Sequence, residues 1–498
     1  MNRTEIANRG IEIPFIPNDT IGLKGGLKVD KDILGKPIIG LPDMGAIELH
    51  DSNKKQPNIL VILIDDAGYA DFGFMGSKDL PTPNIDALAK RGVVFTDAHV
   101  SATVCSPSRA GLITGKYQQR FGYECNESEG YTGLDTAQKI LPELLKQNGY
   151  TTAAFGKWHL GYQPNQHPLK RGFDYYYGFL SGGRSYFYKP DLDDKPGAKN
   201  AMYLNNQQVS FDGYLTDDLS DKAVDFIKQQ KNTPFFIYWA PNAVHAPMEA
   251  ATADVKKFQN HPRQILAAMT AALDRAIGNL IATLKQEGKL DNTLIFFLSD
   301  NGGAHNNQSS NFPLKGFKGN KYEGGHRIPF IISWPSQLKA GKFSQLSSSL
   351  DIFPTALDAA GIPIKKEIQL DGVSLLPFLQ QKMNRAPHQQ LVWRKDAEAA
   401  IRFNQYKLVR VKGLGDRLYN LEKDPRELKD VKEREPQIYK NLTQHFLQWE
   451  KDKRKPIWTE GATWDTITLM IHDDLMNNKE VRVRDPKELN QFRSKRNY

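Results

Sequence analysis

Residues 58–66 read NILVILIDD, an apolar run rich in β-branched residues that stops at two adjacent aspartates. An unbroken run from Ile59 to Ile64, without polar alternation, suits a strand covered on both faces, as in a parallel sheet. The pattern returns at 234–247 (PFFIYWAPNAVHAP) and 293–303 (TLIFFLSDNGG), and more weakly at 151–161 (TTAAFGKWHLG). Each run ends abruptly in polar residues. Helical patterns lie between them. TPNIDALAKRG (82–92) stops at glycine, and DDLSDKAVDFIKQQ (217–230) follows Asp and Ser caps. Residues 262–288 set Ile265, Met269, Leu273, Ile277, Leu280 and Leu284 on one stripe. Strands alternating with helices predict an α/β fold, a large, mostly parallel sheet sandwiched by helices.

At 498 residues the chain is long for a single core. Residues 1–56 are polar, broken by Gly and Pro, and read as an irregular N-terminal arm. The large α/β domain spans 57–390. After that the texture changes. AAIRFNQYKLVRV and RLYNLEKDP look like short antiparallel strands, and 435–450 like a helix. Residues 391–498 are therefore expected to form a smaller C-terminal α+β domain with an antiparallel sheet. Its extended, charged tail carries Trp458 and Trp464, which could line a cleft or an oligomer interface.

No apolar run approaches the roughly 18 residues that cross a membrane, and MNRTEIANRG has no signal-peptide core. The net charge of +9 suits an acidic partner such as a sulfated or phosphorylated polymer, or else a solvated surface. The two cysteines, Cys105 and Cys125, allow one bridge, two thiols, or one thiol reserved for chemistry. Neither lies in a CxxC, so a thiolate zinc site is not expected.

In open α/β sheets the ligand crevice lies outside the carboxyl ends of the strands. Polar residues following the apolar runs should therefore meet: Asp65 and Asp66, Asp300 and Asn301, Lys157 and His159, and His245. Adjacent carboxylates at a buried strand end repel, and each is costly to bury alone. A hard divalent cation removes that cost. Three carboxylates and an amide oxygen suit Ca2+, with Mg2+ second, rather than zinc. Each pair alone could merely cap a turn; together they point to metal.

Residues 105–115, CSPSRAGLITG, put Cys105 at the start of a helix, with Pro107 in the first turn. A helix N-terminus favours an oxyanion. Taken alone, such a cysteine could be a low-pKa thiolate. Thiolates prefer soft metals, however, so a neighbouring hard cation calls for an oxygen nucleophile.

CSPSRAGLITG resembles the signature of the type I, formylglycine-dependent sulfatases, Cys-x-Pro-Ser-Arg followed by Leu-x-Thr-Gly. NILVILIDDAGYADFG, PTPNIDALAKRGVVFTDAHV, GKWHLG, RGFDYYYGFLSGG, SDNGG, KGNKYEGGHRIPFI and LDIFPTALDAAG resemble further segments of that family, in its order. The likeness covers roughly residues 57–450. It implies an alkaline phosphatase-like fold and makes 57–390 the catalytic sulfatase domain. It implies conversion of Cys105 to Cα-formylglycine by a maturation enzyme, and sulfate-ester hydrolysis through a covalent sulfate intermediate. Asp65, Asp66, Asp300 and Asn301 would hold the cation, with residue 105 completing the shell. Arg109 and Lys157 would stabilise the nucleophile. His159 would bond its second hydroxyl and help expel sulfate. His245 and Lys318 would bind the ester and protonate the leaving oxygen. Lys318 is preferred to Lys315 and Lys321 because the Lys318–Gly319 step before EGG matches the family spacing. Cys125 is expected to be unpaired and dispensable.

The resemblance extends to bacterial polysaccharide sulfatases, so the expected substrate is a sulfated glycan: a carrageenan-like galactan first, a glycosaminoglycan second. Arg184 and Tyr186 in SGGRSYF, and His305 after the metal ligands, are expected to border it, by ion pairing or stacking on a sugar. A periplasmic or secreted location, with the signal removed, is expected before a cytoplasmic one. Nucleic acid is not an expected partner; a homo-oligomer is left open. The runner-up is a phosphonate or phosphate-ester hydrolase of the same superfamily. An inactive carbohydrate-binding relative is disfavoured because every catalytic position is filled. A thiol enzyme is disfavoured because no His–Asn pattern accompanies Cys105.

Overall fold

The computed structural model describes residues 56–495. The expected N-terminal arm therefore lies, but for Gln56, outside the described residues. The strands are, in chain order, β1 (Asn58–Ile64), β2 (Val93–Phe95), β3 (Ala98–His99), β4 (Thr151–Lys157), β5 (Tyr175–Phe179), β6 (Met202–Leu204), β7 (Gln207–Val209), β8 (Phe235–Ala240), β9 (Thr293–Ser299), β10 (Phe330–Ser333), β11 (Gly341–Phe343), β12 (Ser347–Ser348), β13 (Gln390–Lys395), β14 (Glu398–Phe403), β15 (Tyr406–Val411) and β16 (Gly415–Asn420).

Ten of them form one sheet in the order β11-β2-β10-β9-β1-β8-β4-β5-β6-β7. Its centre, β9-β1-β8-β4-β5, is parallel throughout. β10 joins one side antiparallel, and β6 and β7 close the other as an antiparallel pair. The expected mostly parallel sheet is present, with antiparallel additions on both flanks.

The unbroken apolar run of β1 is explained by its two faces. Ile59, Val61 and Leu63 pack with Leu112, Ile113, Phe353 and Leu357 of helices Cys105–Thr114 and Ile352–Ala359. Leu60, Ile62 and Ile64 face the opposite layer, made by helices Pro83–Arg91, Leu215–Gln229 and Gln264–Gln286. A pleated strand points successive side chains to opposite faces, so both parities must be apolar when both faces are covered. Gln264–Gln286 is the one described helix long and apolar enough to cross a membrane. It lies instead on the sheet, with Met269, Leu273, Ile277, Leu280 and Leu284 wholly buried.

β13 to β16 form a separate antiparallel sheet in sequence order. Helix Pro436–Glu450 covers one face through Leu442 and Phe446. Helices Ala462–Met476 and Pro486–Ser494 cover the other, through Ile467, Ile471, Leu475 and Leu489. The tail, expected as an extension packed on a domain surface, is largely helical and completes that core. From Pro57 onward the chain makes one compact unit. The joint between the sheets is polar and buried. Lys407 Nζ donates to Glu323 at 3.0 Å and to His326 Nε2 at 2.9 Å, and lies 2.9 Å from Glu427. Arg402 pairs with Asp97 at 2.7 Å, and Trp393 Nε1 donates to Val100 O at 2.7 Å.

Candidate active site

Because β9, β1, β8 and β4 are adjacent and parallel, their carboxyl ends share one edge of the sheet. Register pairs Ile64 with Ser299, so Asp65–Asp66 and Asp300–Asn301 emerge side by side. The Asp300 N–H donates to Ile64 O at 2.9 Å, which carries the β1–β9 ladder one residue beyond the strands. Lys157 ends β4, and His245 lies in the loop after β8. The structure brings all of these together with Cys105, Arg109 and Lys318.

Cys105 opens the helix Cys105–Thr114 and is buried. Its Sγ lies 3.6 Å from Asp65 Oδ1 and 3.9 Å from Asp66 Oδ1. Burial pushes the thiol up to about 12, against the lowering effect of Lys157 and Lys318. Cys125 is a separate buried free thiol.

Lys157 Nζ donates to Asp65 Oδ2 at 2.7 Å. Arg109 donates to Asp300 Oδ2 through Nε at 2.9 Å and reaches the same oxygen with its terminal nitrogen at 2.8 Å. Asn301 Nδ2 donates to Asp66 Oδ1 at 2.7 Å, and Lys318 Nζ donates to Asp66 Oδ2 at 2.8 Å. Burial works against ionising Asp65, but Lys157, His245 and Arg109 hold its carboxyl well below the usual range. Burial and the neighbouring Asp65 push Asp300 up to about 6.

The donor set fits a hard cation. Three buried carboxylates lie at this edge, with Asp300 Oδ1 accepting the Asp66 N–H at 3.3 Å, and the buried Asn301 Oδ1 has no hydrogen-bond partner. Asp65, Asp66, Cys105 and His245 each offer an atom within 4.8 Å of the others.

The two histidines differ. His159 is buried at positive φ (56°), and its Nδ1 has no hydrogen-bond partner. Burial, followed by Lys157 and Arg109, holds its pKa well below the ordinary value, which favours the neutral ring. A Cβ on Gly182 would come within 2.6 Å of His159 Nε2, so the glycine leaves room for the ring. His245 keeps 22% of its side chain exposed, and Lys318 17%, whereas Lys157 and Arg109 are at 0%. His245 Nδ1 donates to Ala246 O, which turns Nε2 toward Asp66, 3.6 Å away. Lys315 instead bonds Glu427 O and Asn478, and Lys321 bonds Thr103 and Glu398.

The residues expected to border the substrate are placed differently. Arg184 is buried, paired with Asp193 at 2.9 Å and stacked over Phe211. Tyr186 is wholly buried, and its hydroxyl is shared between Asn242 O and His245 O. It therefore holds the His245 loop and offers no ring face to a sugar. His305 is half-buried beside Phe317, and burial lowers its pKa. Sequence reading missed Asn307, whose buried Nδ2 ties Asp66 O to Val244 O at 3.0 and 2.9 Å. A lone asparagine in a polar loop carries no local signal of such a tie.

The sulfatase family model matches residues 57–362, and that for the N-sulphoglucosamine sulphohydrolase C-terminal region matches 317–452. An uncharacterized sulfatase, YdeN, of Escherichia coli is 34% identical over 398 residues, covering 69% of each chain. Human N-acetylgalactosamine-6-sulfatase is 36% identical over 357 residues, covering 65% of this chain and 66% of that one. The solved structure of Ps i-CgsB in complex with k-i-k-neocarrahexaose is 38% identical, covers 85% of this chain and 100% of that chain, and superposes with a TM-score of 0.77. The strand-end cluster, the helix opening at Cys105 and these likenesses agree: the chain belongs to the sulfatase family and is a sulfuric ester hydrolase.

Proposed function

We propose that this sulfatase removes sulfate from a sulfated polysaccharide or its oligosaccharides, a carrageenan-like galactan before a glycosaminoglycan. The reading includes maturation of Cys105 to Cα-formylglycine and a Ca2+ ion, with Mg2+ second, held by Asp65, Asp66, Asp300 and Asn301. The observation that carries it is the convergence of Cys105 with that oxygen set and with Arg109, Lys157, His159, His245 and Lys318 at one sheet edge. The likeness to Ps i-CgsB, solved with a neocarrahexaose, supports the galactan. That to human N-acetylgalactosamine-6-sulfatase keeps glycosaminoglycans in view.

When bound, the cation would supply Lewis-acid stabilisation of charge on oxygen. Formylglycine, as its hydrate, would supply an oxygen nucleophile and a second hydroxyl. The protein's side chains divide around them by depth. Arg109 and Lys157, wholly buried, keep fixed positive charge beside residue 105. Neutral His159, with Nδ1 unpartnered, is suited to take the proton of the second hydroxyl. His245 and Lys318, nearer to solvent, would meet the ester. Lys318 would hold sulfate oxygens as a cation. With Nδ1–H held on Ala246 O, His245 would first take a proton on Nε2, as an imidazolium favoured by Asp66 and Asp65 against burial, and pass it to the leaving oxygen. Tyr186 keeps that nitrogen aimed through the loop carbonyls.

A panel of carrageenans, fucoidan, ulvan and glycosaminoglycans, read by released sulfate and product NMR, tests the substrate. The peptide mass at Cys105 tests maturation, and elemental analysis tests the ion. Sulfate release without chain cleavage is expected. More efficient release of phosphate from diesters or phosphonates than of sulfate from any glycan would overturn the reading. A periplasmic or secreted location accords with a polymeric substrate that a cell meets outside its cytoplasm.

A further inference from the structure

The helix that begins at Cys105 has no cap of its own. Val104 precedes it and supplies no side-chain acceptor, while first-turn N–H groups lack intrahelical partners. The cap comes from a distant loop: Asn126 Oδ1 accepts the Ser106 N–H at 3.0 Å. The backbone of Asn126 is in turn gripped by the C-terminal tail. Its carbonyl accepts Trp458 Nε1–H at 2.8 Å. Its N–H faces the Glu460 carboxylate, which pairs with Lys395 at 2.6 Å. Between them, Thr459 O accepts Ser128 Oγ–H at 2.5 Å.

A second path reaches the same residue. The buried Trp458 ring lies edge-on to Tyr123 and Tyr131, with centroids 4.7 and 5.1 Å apart. Tyr123 OH bonds Ser106 Oγ at 2.6 Å, and that hydroxyl donates to His159 O at 2.6 Å. Trp458 therefore stands behind both the amide and the hydroxyl of Ser106, the residue next to Cys105. Neither family match extends past residue 452, so this strap lies outside the matched family regions.

We propose that residues 458–460 form a strap that positions the nucleophile turn through Asn126, making Trp458 and Asn126 positioning residues for catalysis. This rests on residue 105 being the nucleophile. Small misplacements of a reacting group lower turnover far more than binding, because the substrate is held elsewhere in the site.

The test compares Asn126→Ala, Asn126→Asp and Trp458→Phe in the matured full chain, by kinetics on one sulfated oligosaccharide and by amide hydrogen exchange of the peptide around Ser106. Asn126→Ala should lower kcat about tenfold with KM nearly unchanged, and speed exchange at Ser106. Asn126→Asp keeps an oxygen at the cap and should recover most of that loss. Trp458→Phe keeps ring packing but deletes the N–H, and should fall between wild type and Asn126→Ala. Wild-type exchange at Ser106 in both Asn126→Ala and Trp458→Phe would overturn the strap whatever the kinetics show. So would equal kcat losses in Asn126→Ala and Asn126→Asp. If Asn126→Ala does not fold, exchange in Trp458→Phe decides. Absence of sulfate release by the wild type would count against the proposed function, while the exchange measurement still judges the strap.

Discussion

Asp300 and Asp65 are both wholly buried, yet their surroundings drive them apart. Burial and the charge on Asp65 push Asp300 up, whereas Lys157, His245 and Arg109 hold Asp65 down. The proposed divalent cation would compensate the buried charge on Asp300 that Arg109 and Lys157 leave unmet. Asp300→Asn keeps the shape and removes one charge. If the proposed cation is held there, it should reduce bound metal and lower activity by about two orders of magnitude. Elemental analysis alongside sulfate release checks this, and full metal content with full activity would contradict it. Cys105→Ser tests the other half of the site. Serine supplies one hydroxyl and lacks the geminal second one of the proposed formylglycine hydrate, so multiple turnover should fall by about a thousandfold or more with the fold intact. Sustained turnover, followed beyond one equivalent of sulfate, would refute the role given to residue 105.

At the scale of elements, the site depends on where strands stop and how they turn. Gly156, one residue before Lys157, has φ of 93°, and a Cβ there would lie 2.2 Å from Ala240 O on the neighbouring strand. An L side chain is disfavoured by the left-handed conformation and blocked by that carbonyl. Gly156→Ala should therefore destabilise the protein by about 2–4 kcal/mol. It should also depress activity, because the shift is passed to Lys157. Urea denaturation measures the first effect and sulfate release the second; a change below about 0.5 kcal/mol would show that the strand relaxes freely. The apolar runs disclosed these strands because burial on both faces leaves no room for polar alternation. They did not disclose Gly156, since a single glycine in a run has several uses.

At the scale of the whole molecule, the two sheets are joined through charges. One tie lies just before β13, where His388 Nε2 meets Asp351 Oδ1 at 2.7 Å. Burial alone would depress His388, but Asp351 outweighs it and the pKa is raised. A raised folded pKa contributes stability that is full below the unfolded value near 6.5 and is lost as pH rises through the folded value. His388→Gln should therefore destabilise most at acidic pH, with the gap to wild type closing toward alkaline pH. Denaturation midpoints at several pH values check this, and a gap that widened with pH would reverse the assignment. The sequence by itself determined the layered α/β class, the sulfatase family and the four central strands β1, β4, β8 and β9, whose apolar runs stop at polar residues. Runs of apolar residues, ligand types and the CSPSR signature are local patterns. Tertiary structure alone decided that Tyr186 and Arg184 turn inward, that the tail folds into helices, and that Asn126 and Trp458 stand behind Cys105. Those outcomes depend on partners from nine to 332 residues away, and packing of that kind leaves no periodic mark on the chain.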